Sequence, residues 1–188
     1  MESLLGIPVG LALSTAAGLR IFVPLLLTSV AARFGSLTLA PGMTWMASDA
    51  ALVAFATATA LEVAAYYVPW LDNLLDTIAT PTAVMAGIVA MAAVTPDLPP
   101  LLRWTLAFVA GGGAAGLVQA GTALLRLKSS AMTAGLGNPV LATGELAGSV
   151  VLGLLGLLAP ILAGAAVIVL LIVLARRVSR SLERRAPM

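Results

Sequence analysis

LEVAAYYVPWLDNLLDTIATP, Leu61 to Pro81, sets three carboxylates (Glu62, Asp72 and Asp76) in a chain that is otherwise almost entirely apolar. Acids in such surroundings belong to a membrane protein, where they are costly unless partnered or useful. The 188 residues are 61% hydrophobic and 10% charged, with a mean hydropathy of +1.09. A soluble domain carries about a quarter charged residues. This composition cannot cover a water-facing surface, so lipid bilayer is the expected partner for most of the outside.

A helix crosses a bilayer with about 20 apolar residues, so the length accommodates about six spans in one domain. The fold class expected is an all-α membrane protein with some helices broken or re-entrant. Residues 1–175 form the membrane domain and 176–188 a basic cytoplasmic tail. There is no Cys and no His, which removes disulfides, thiolate chemistry, imidazole metal ligands and histidine proton relays. No nucleophile–base pair or metal set can then be assembled, so neither an enzyme nor a cofactor is expected. The pI of about 9.7 comes mainly from the tail, not from a nucleic-acid face. Glu2 and a long first apolar segment argue against a cleavable signal peptide.

Span one runs from Leu4 to Ala32 and is interrupted by Gly18, Arg20 and Pro24, as one kinked helix or two shorter pieces. A loop with Pro41, Gly42 and Trp45 follows. Span two covers Ala50 to Val68 and stops at Pro69, before a short helix from Leu71 to Ala79. Thr80 and Pro81 look like the cap and first turn of span three, which reaches Val94. Span four, Leu101 to Leu125, holds Gly111, Gly112 and Gly113 and is closed by Arg126 and Lys128. Span five opens after Asn138 at Pro139 and carries Glu145. A break near Pro160 leads to span six.

The basic residues Arg176, Arg177, Arg180, Arg184 and Arg185 put the C-terminus in the cytoplasm and against anionic lipid. With six spans the N-terminus is expected there too.

The residues Ala17-Gly18-Leu19-Arg20, Pro24 to Leu27, Ala31 to Gly35, Leu61-Glu62, Asp72, Asp76, Ala86-Gly87, Gly111 to Ala115, Asn138-Pro139 and Glu145 resemble a bacterial integral-membrane family, domain of unknown function 4126. The likeness covers nearly the whole chain in order. It implies an architecture in the bacterial inner membrane and no established activity. Family members carry a Lys and an Arg four residues apart where this chain has Thr122 and Arg126. A Ser-Pro-Glu-Pro segment is replaced here by Met132 to Gly135, and an acidic pair by Glu145-Leu146.

Asp72, Asp76 and Thr80 share a helix face, as a cation site or as acids stabilising helix termini. Glu62 is either protonated or paired across helices with Arg20. Arg20, mid-span, needs a fixed partner in Glu62 or Glu145. The glycine run reads as a close-packing stripe, with a homo-oligomer through that helix as one use. Ser14, Thr15, Thr57 and Thr59 are expected to back-bond within their helices. Ala17-Gly18-Leu19 with Pro24 and Thr28 recurs weakly as Ala134-Gly135-Leu136 with Pro139 and Thr143, an imperfect internal repeat of a kind transporters use. The function expected is small-solute or ion transport, cation- or proton-linked. Glu62, Asp72, Asp76, Glu145, Arg20, Thr80 and Asn138 are the pathway candidates. The alternatives are a non-transporting assembly factor or small subunit, and a lipid-handling protein.

Overall fold

A computed structural model describes residues 2–65 and 69–183, with side chains described for 5–65, 78–173 and 176. Every regular element among them is helical. Helices α1 (Glu2–Ala17) and α2 (Phe22–Arg33) are separated by a turn at Gly18–Ile21. The N-terminal part of α1 lies against the Val94 backbone at Gly6. Leu5, Gly6 and Val9 share a cleft of ≈ 300 Å³ with Ser36, Leu37, Thr38 and Asp97. Just beyond, the Ala40 N–H donates to the Ala93 carbonyl at 2.7 Å. The start of α1 and the end of α2 therefore lie at one end of the molecule. The two helices form a hairpin, and at about 1.5 Å per residue its tip lies roughly 20 Å inward from Leu5.

Five traversals follow. Helix α3 (Asp49–Ala65) runs to the far end and α4 (Pro69–Ala93) returns. Then α5 (Pro100–Leu106), a wide π-helical stretch (Ala107–Gly112) and α6 (Gly113–Thr133) form one rod outward. Helix α7 (Asn138–Leu158) comes back, and α8 (Pro160–Glu183) turns at Ala159 to run beside α1, with Gly164 against Pro8 and Val167 clustered with Ala12.

The segment expected as the first span is a hairpin, followed by five helical runs among the described residues, and the start of α1 and the end of α8 lie at opposite ends. The reason is local. The apolar run 4–32 is long enough to cross once, but the turn after Gly18 reverses it. Gly18 is needed there because a Cβ would stand 2.5 Å from the Ala115 carbonyl oxygen of α6.

Other boundaries shift as well. Helix α4 is continuous from Pro69 through Pro81, so no separate helix ends at Ala79 and Thr80 is not a cap. The fourth span extends to Thr133, which brings Arg126 inside the helix. Helix α8 passes residue 176 without a break.

Close packing rests on small residues. A Cβ on Gly111 would lie 2.6 Å from the Gly87 carbonyl oxygen, and one on Gly87 would lie 2.7 Å from that of Gly111. Ser14 Oγ donates to the same Gly87 oxygen at 2.8 Å, instead of back-bonding within α1. Gly112 meets Val84 and Ile88, whereas Gly113 meets nothing. Two of the three glycines expected at a homo-oligomer face are thus used inside the protomer. The outside carries large apolar side chains, among them Val53, Leu101, Val109, Leu127, Val140 and Ile161. Pro100–Thr133 and Asn138–Leu158 are long and apolar enough to cross a membrane.

Gly111→Ala should force α4 and the π-helical stretch apart, at about 1–3 kcal/mol for overpacking. Gly113→Ala should be neutral or slightly stabilising. Thermal unfolding of the two purified variants checks the contrast; equal melting temperatures would refute the backbone crossing.

Candidate functional site

An interrupted helix exposes backbone groups at its break, and these need partners. The end of α1 supplies some of its own: Ala16 accepts the Leu19 and Arg20 N–H groups at 3.0 and 2.9 Å, and Ser149 Oγ of α7 at 3.0 Å. Helix α2 opens on Ile21, which offers no side-chain cap, and has no acid in its first turn. The missing cap comes from another helix. Glu62 of α3 accepts the Ile21 N–H at 2.8 Å on Oε1 and the Phe22 N–H at 3.1 Å on Oε2. A carboxylate at a helix N-terminus is favoured by both hydrogen bonding and the helix dipole.

Arg20 at the tip turns the other way. Its Nη2 donates to the Ala142 carbonyl at 2.6 Å and lies 3.6 Å from Glu145 Oε2. Arg126 of α6 grips the same carboxylate in a bidentate pair, with Nε to Oε1 at 3.1 Å and Nη2 to Oε2. Such fork-to-carboxylate pairs are among the stronger polar contacts. All four side chains are buried, with residue exposures of 2% for Arg20, 5% for Arg126, 7% for Glu62 and 8% for Glu145. Four ionisable side chains, from the hairpin tip, α3, α6 and α7, thus gather around the Arg20–Phe22 turn.

Of the two partners open to Arg20, the contact is with Glu145. Glu62 engages backbone instead, so the expected Glu62–Arg20 pair is replaced by a cap. Arg126, read in the sequence as the close of a span, completes the centre. A signal for it existed: Gln119, Thr122 and Arg126 fall at i, i+3 and i+7 of α6 and are all buried, a polar stripe on an apolar helix.

Asn138 Nδ2 donates to Ser130 Oγ at 3.0 Å, closing the α6–α7 turn, while its buried Oδ1 has no hydrogen-bond partner among the described residues. Thr80 is exposed on α4. The side chains of Asp72, Asp76, Arg177 and Arg180 lie outside the described residues, as do Arg184 and Arg185, while Arg176 is exposed.

Thr15 back-bonds to Leu11 as expected, whereas Thr59 Oγ1 is buried without a hydrogen bond among the described residues. The two threonines of the weak repeat make the same back-bond that Thr82, Thr95, Thr105 and Thr133 make elsewhere. Thr28 donates to Pro24 at 2.7 Å and Thr143 to Pro139 at 2.8 Å, each in the first turns of a helix that follows a tight turn. Among the described residues no group of three His, Cys, Asp or Glu side chains could hold a metal ion.

The class defined is an all-helical protein with a buried four-charge centre at the tip of a helical hairpin. The chain belongs to the family described as domain of unknown function (DUF4126), which matches residues 7–180. No curated protein and no solved structure matches it.

Glu145→Ala should destabilise the protein by about 3–5 kcal/mol, because two buried arginines lose their shared carboxylate. Glu62→Ala strands two backbone N–H groups and should cost less, about 1–3 kcal/mol. Denaturation of both variants measures the order; the reverse order would contradict these assignments.

Proposed function

We propose that the protein is a membrane-embedded transport protein for a small solute or ion, with Arg20, Glu62, Arg126 and Glu145 as its central site. The observation that carries this is the meeting of four charges where helical backbone is interrupted. In a bilayer, irregular backbone is tolerated only where protein buries it or a wet cavity meets it, and discontinuous helices mark substrate sites in transporters. Intramembrane charges have the same default reading.

The apolar exterior supports the membrane setting. Under the positive-inside rule the end with Lys128, Arg176, Arg177 and Arg180 is cytoplasmic, against Arg33 and Arg103 at the other. Arg33 is moreover paired with Asp49 at 2.8 Å. In a bacterial inner membrane the N-terminus then faces outward, α1–α2 is a re-entrant hairpin, and the central site lies in the cytoplasmic half. Asp72 and Asp76 fall near the start of α4, at the end this reading makes cytoplasmic.

The chain has no native cysteine, so single cysteines report topology directly. Leu5→Cys and Thr38→Cys should react with an impermeant maleimide on intact cells, and Met132→Cys only after lysis. Protection of Leu5→Cys until lysis would restore the single crossing by residues 4–32.

Reconstituted vesicles should show solute flux that Arg126→Ala abolishes. Vesicles that stay as tight as protein-free ones to protons, monovalent cations and small anions would overturn the transport reading. Copurification of a stoichiometric membrane partner in that case would favour the assembly-factor role.

A further inference from the structure

We propose that the cleft between the start of α1, the segment after α2 and the α4–α5 turn binds a primary ammonium group carried on a short alkyl chain. This site lies at the other end of the hairpin from the charged centre, and it stands whether or not the protein transports a solute. The cleft measures ≈ 300 Å³, at the low end of the range for small-molecule pockets, about 300–1,000 Å³. Its floor is apolar and fixed. Val9 and Val94 line it at 7% and 2% exposure and belong to the main core, with Leu37 packed against that cluster. The polar part of the lining is Ser36, Thr38 and Asp97, all exposed. Among the described residues none of these three side chains makes a hydrogen bond or ion pair.

The lining selects the charge of the ligand. Among the described residues no basic side chain lines the cleft: Arg33 is paired with Asp49, and Arg103 is buried on α5. The Ser36 N–H already donates to the Ala31 carbonyl at 2.9 Å, so an anion finds no charged donor here. Helices α2 and α4 both end at the cleft, at Arg33 and Ala93, against the single start of α1. The carbonyl ends of helices favour cations.

The kind of cation follows from the same residues. One carboxylate and two hydroxyls give an ammonium group an acceptor for each of its three N–H donors. A divalent metal ion takes about six or more oxygens, and the remaining lining is apolar. A quaternary ammonium has no N–H to donate and is held by aromatic walls, whereas no lining residue is aromatic. The floor of Val9, Leu37 and Val94 is left for the alkyl chain. A free alkylamine and the headgroup of an aminophospholipid both offer this chemistry.

The chain has no cysteine, so Leu5→Cys puts a thiol at the cleft with all three polar side chains intact. Its rate of reaction with a maleimide is measured on the full-length protein in detergent. The probes are n-butylammonium and dihexanoyl phosphatidylethanolamine, with tetramethylammonium as the control. The n-butylammonium ion should slow labelling saturably, and tetramethylammonium should not. Met132→Cys, at the other end of the molecule, should label at an unchanged rate. Asp97→Asn added to Leu5→Cys should raise the concentration needed for protection by about tenfold or more, while Asp49→Asn should leave it unchanged. If Asp97→Asn fails to fold, Ser36→Ala with Thr38→Val should weaken protection and carries the same decision.

Protection by n-butylammonium assigns a free amine, and protection by the aminophospholipid alone assigns a lipid headgroup. Labelling that neither probe slows would overturn the proposal. So would protection undiminished by Asp97→Asn, equal protection by tetramethylammonium, or equal slowing at Met132→Cys.

Discussion

The whole arrangement depends on how the backbone is satisfied where α1 gives way to α2. A helix that stops inside a protein leaves carbonyls at one end and N–H groups at the other, and each costs free energy if stranded. Here the groups are met by two other helices: Ser149 of α7 on the carbonyl side, and Glu62 of α3 on the N–H side. The break therefore ties the hairpin to its surroundings at its deepest point. It also fixes Arg20, because the turn that carries it is held on both flanks. The guanidinium is left pointing at the Ala142 carbonyl and Glu145.

Seating a hairpin between traversing helices requires close backbone approach, and the sequence meets this with glycine at crossing points and not along a general stripe. Gly18 lies against Ala115, Gly87 against Gly111, Gly156 against Ala12 and Gly153 against Leu27. The Ser14 hydroxyl adds a hydrogen bond to the Gly87 carbonyl at the Gly87–Gly111 crossing. The wide turn at Ala107–Gly112 coincides with that contact, in keeping with the tendency of such bulges to mark irregular or functional stretches of helix. Small residues thus do for α1, α4 and the π-helical stretch what large ones do in a water-soluble core.

Much of this was legible in the sequence, and the gaps have physical causes. Composition decided the helical class, and Gly18 with Pro24 announced the interruption. The direction after the interruption was not legible, because hydropathy reports length and not sense of travel. Pro81 was misleading for a related reason. Proline is a good first-turn residue, but α4 tolerates the lost hydrogen bond and continues. For the site, Arg20, Glu62 and Glu145 were recoverable as charged residues inside apolar segments. Their pairing was not, since Glu62 engages backbone N–H groups that leave no trace in residue type. The one available hint was negative: Ile21-Phe22-Val23-Pro24 begins a helix with no residue able to cap it, so a cap had to come from elsewhere. Arg126 was missed because a basic residue near a span end usually marks an interface, and only the polar spacing with Gln119 and Thr122 says otherwise.

The charge bookkeeping of the centre explains why it tolerates burial. A single buried arginine is prohibitive, and an arginine–carboxylate pair barely offsets its own desolvation. Two arginines on one glutamate leave an excess of positive charge among these three groups. Glu62, held beside Arg20 by the Ile21 and Phe22 N–H groups, spends its hydrogen bonds on the helix end instead of on either guanidinium. The set holds two arginines and two carboxyl groups, and no carboxyl group is matched privately to one arginine. Such a set is stable in its assembled form and sensitive to the position of one member. Because Glu62 comes from α3 and the other three from the hairpin tip, α6 and α7, the centre ties four separate elements together at the turn between α1 and α2.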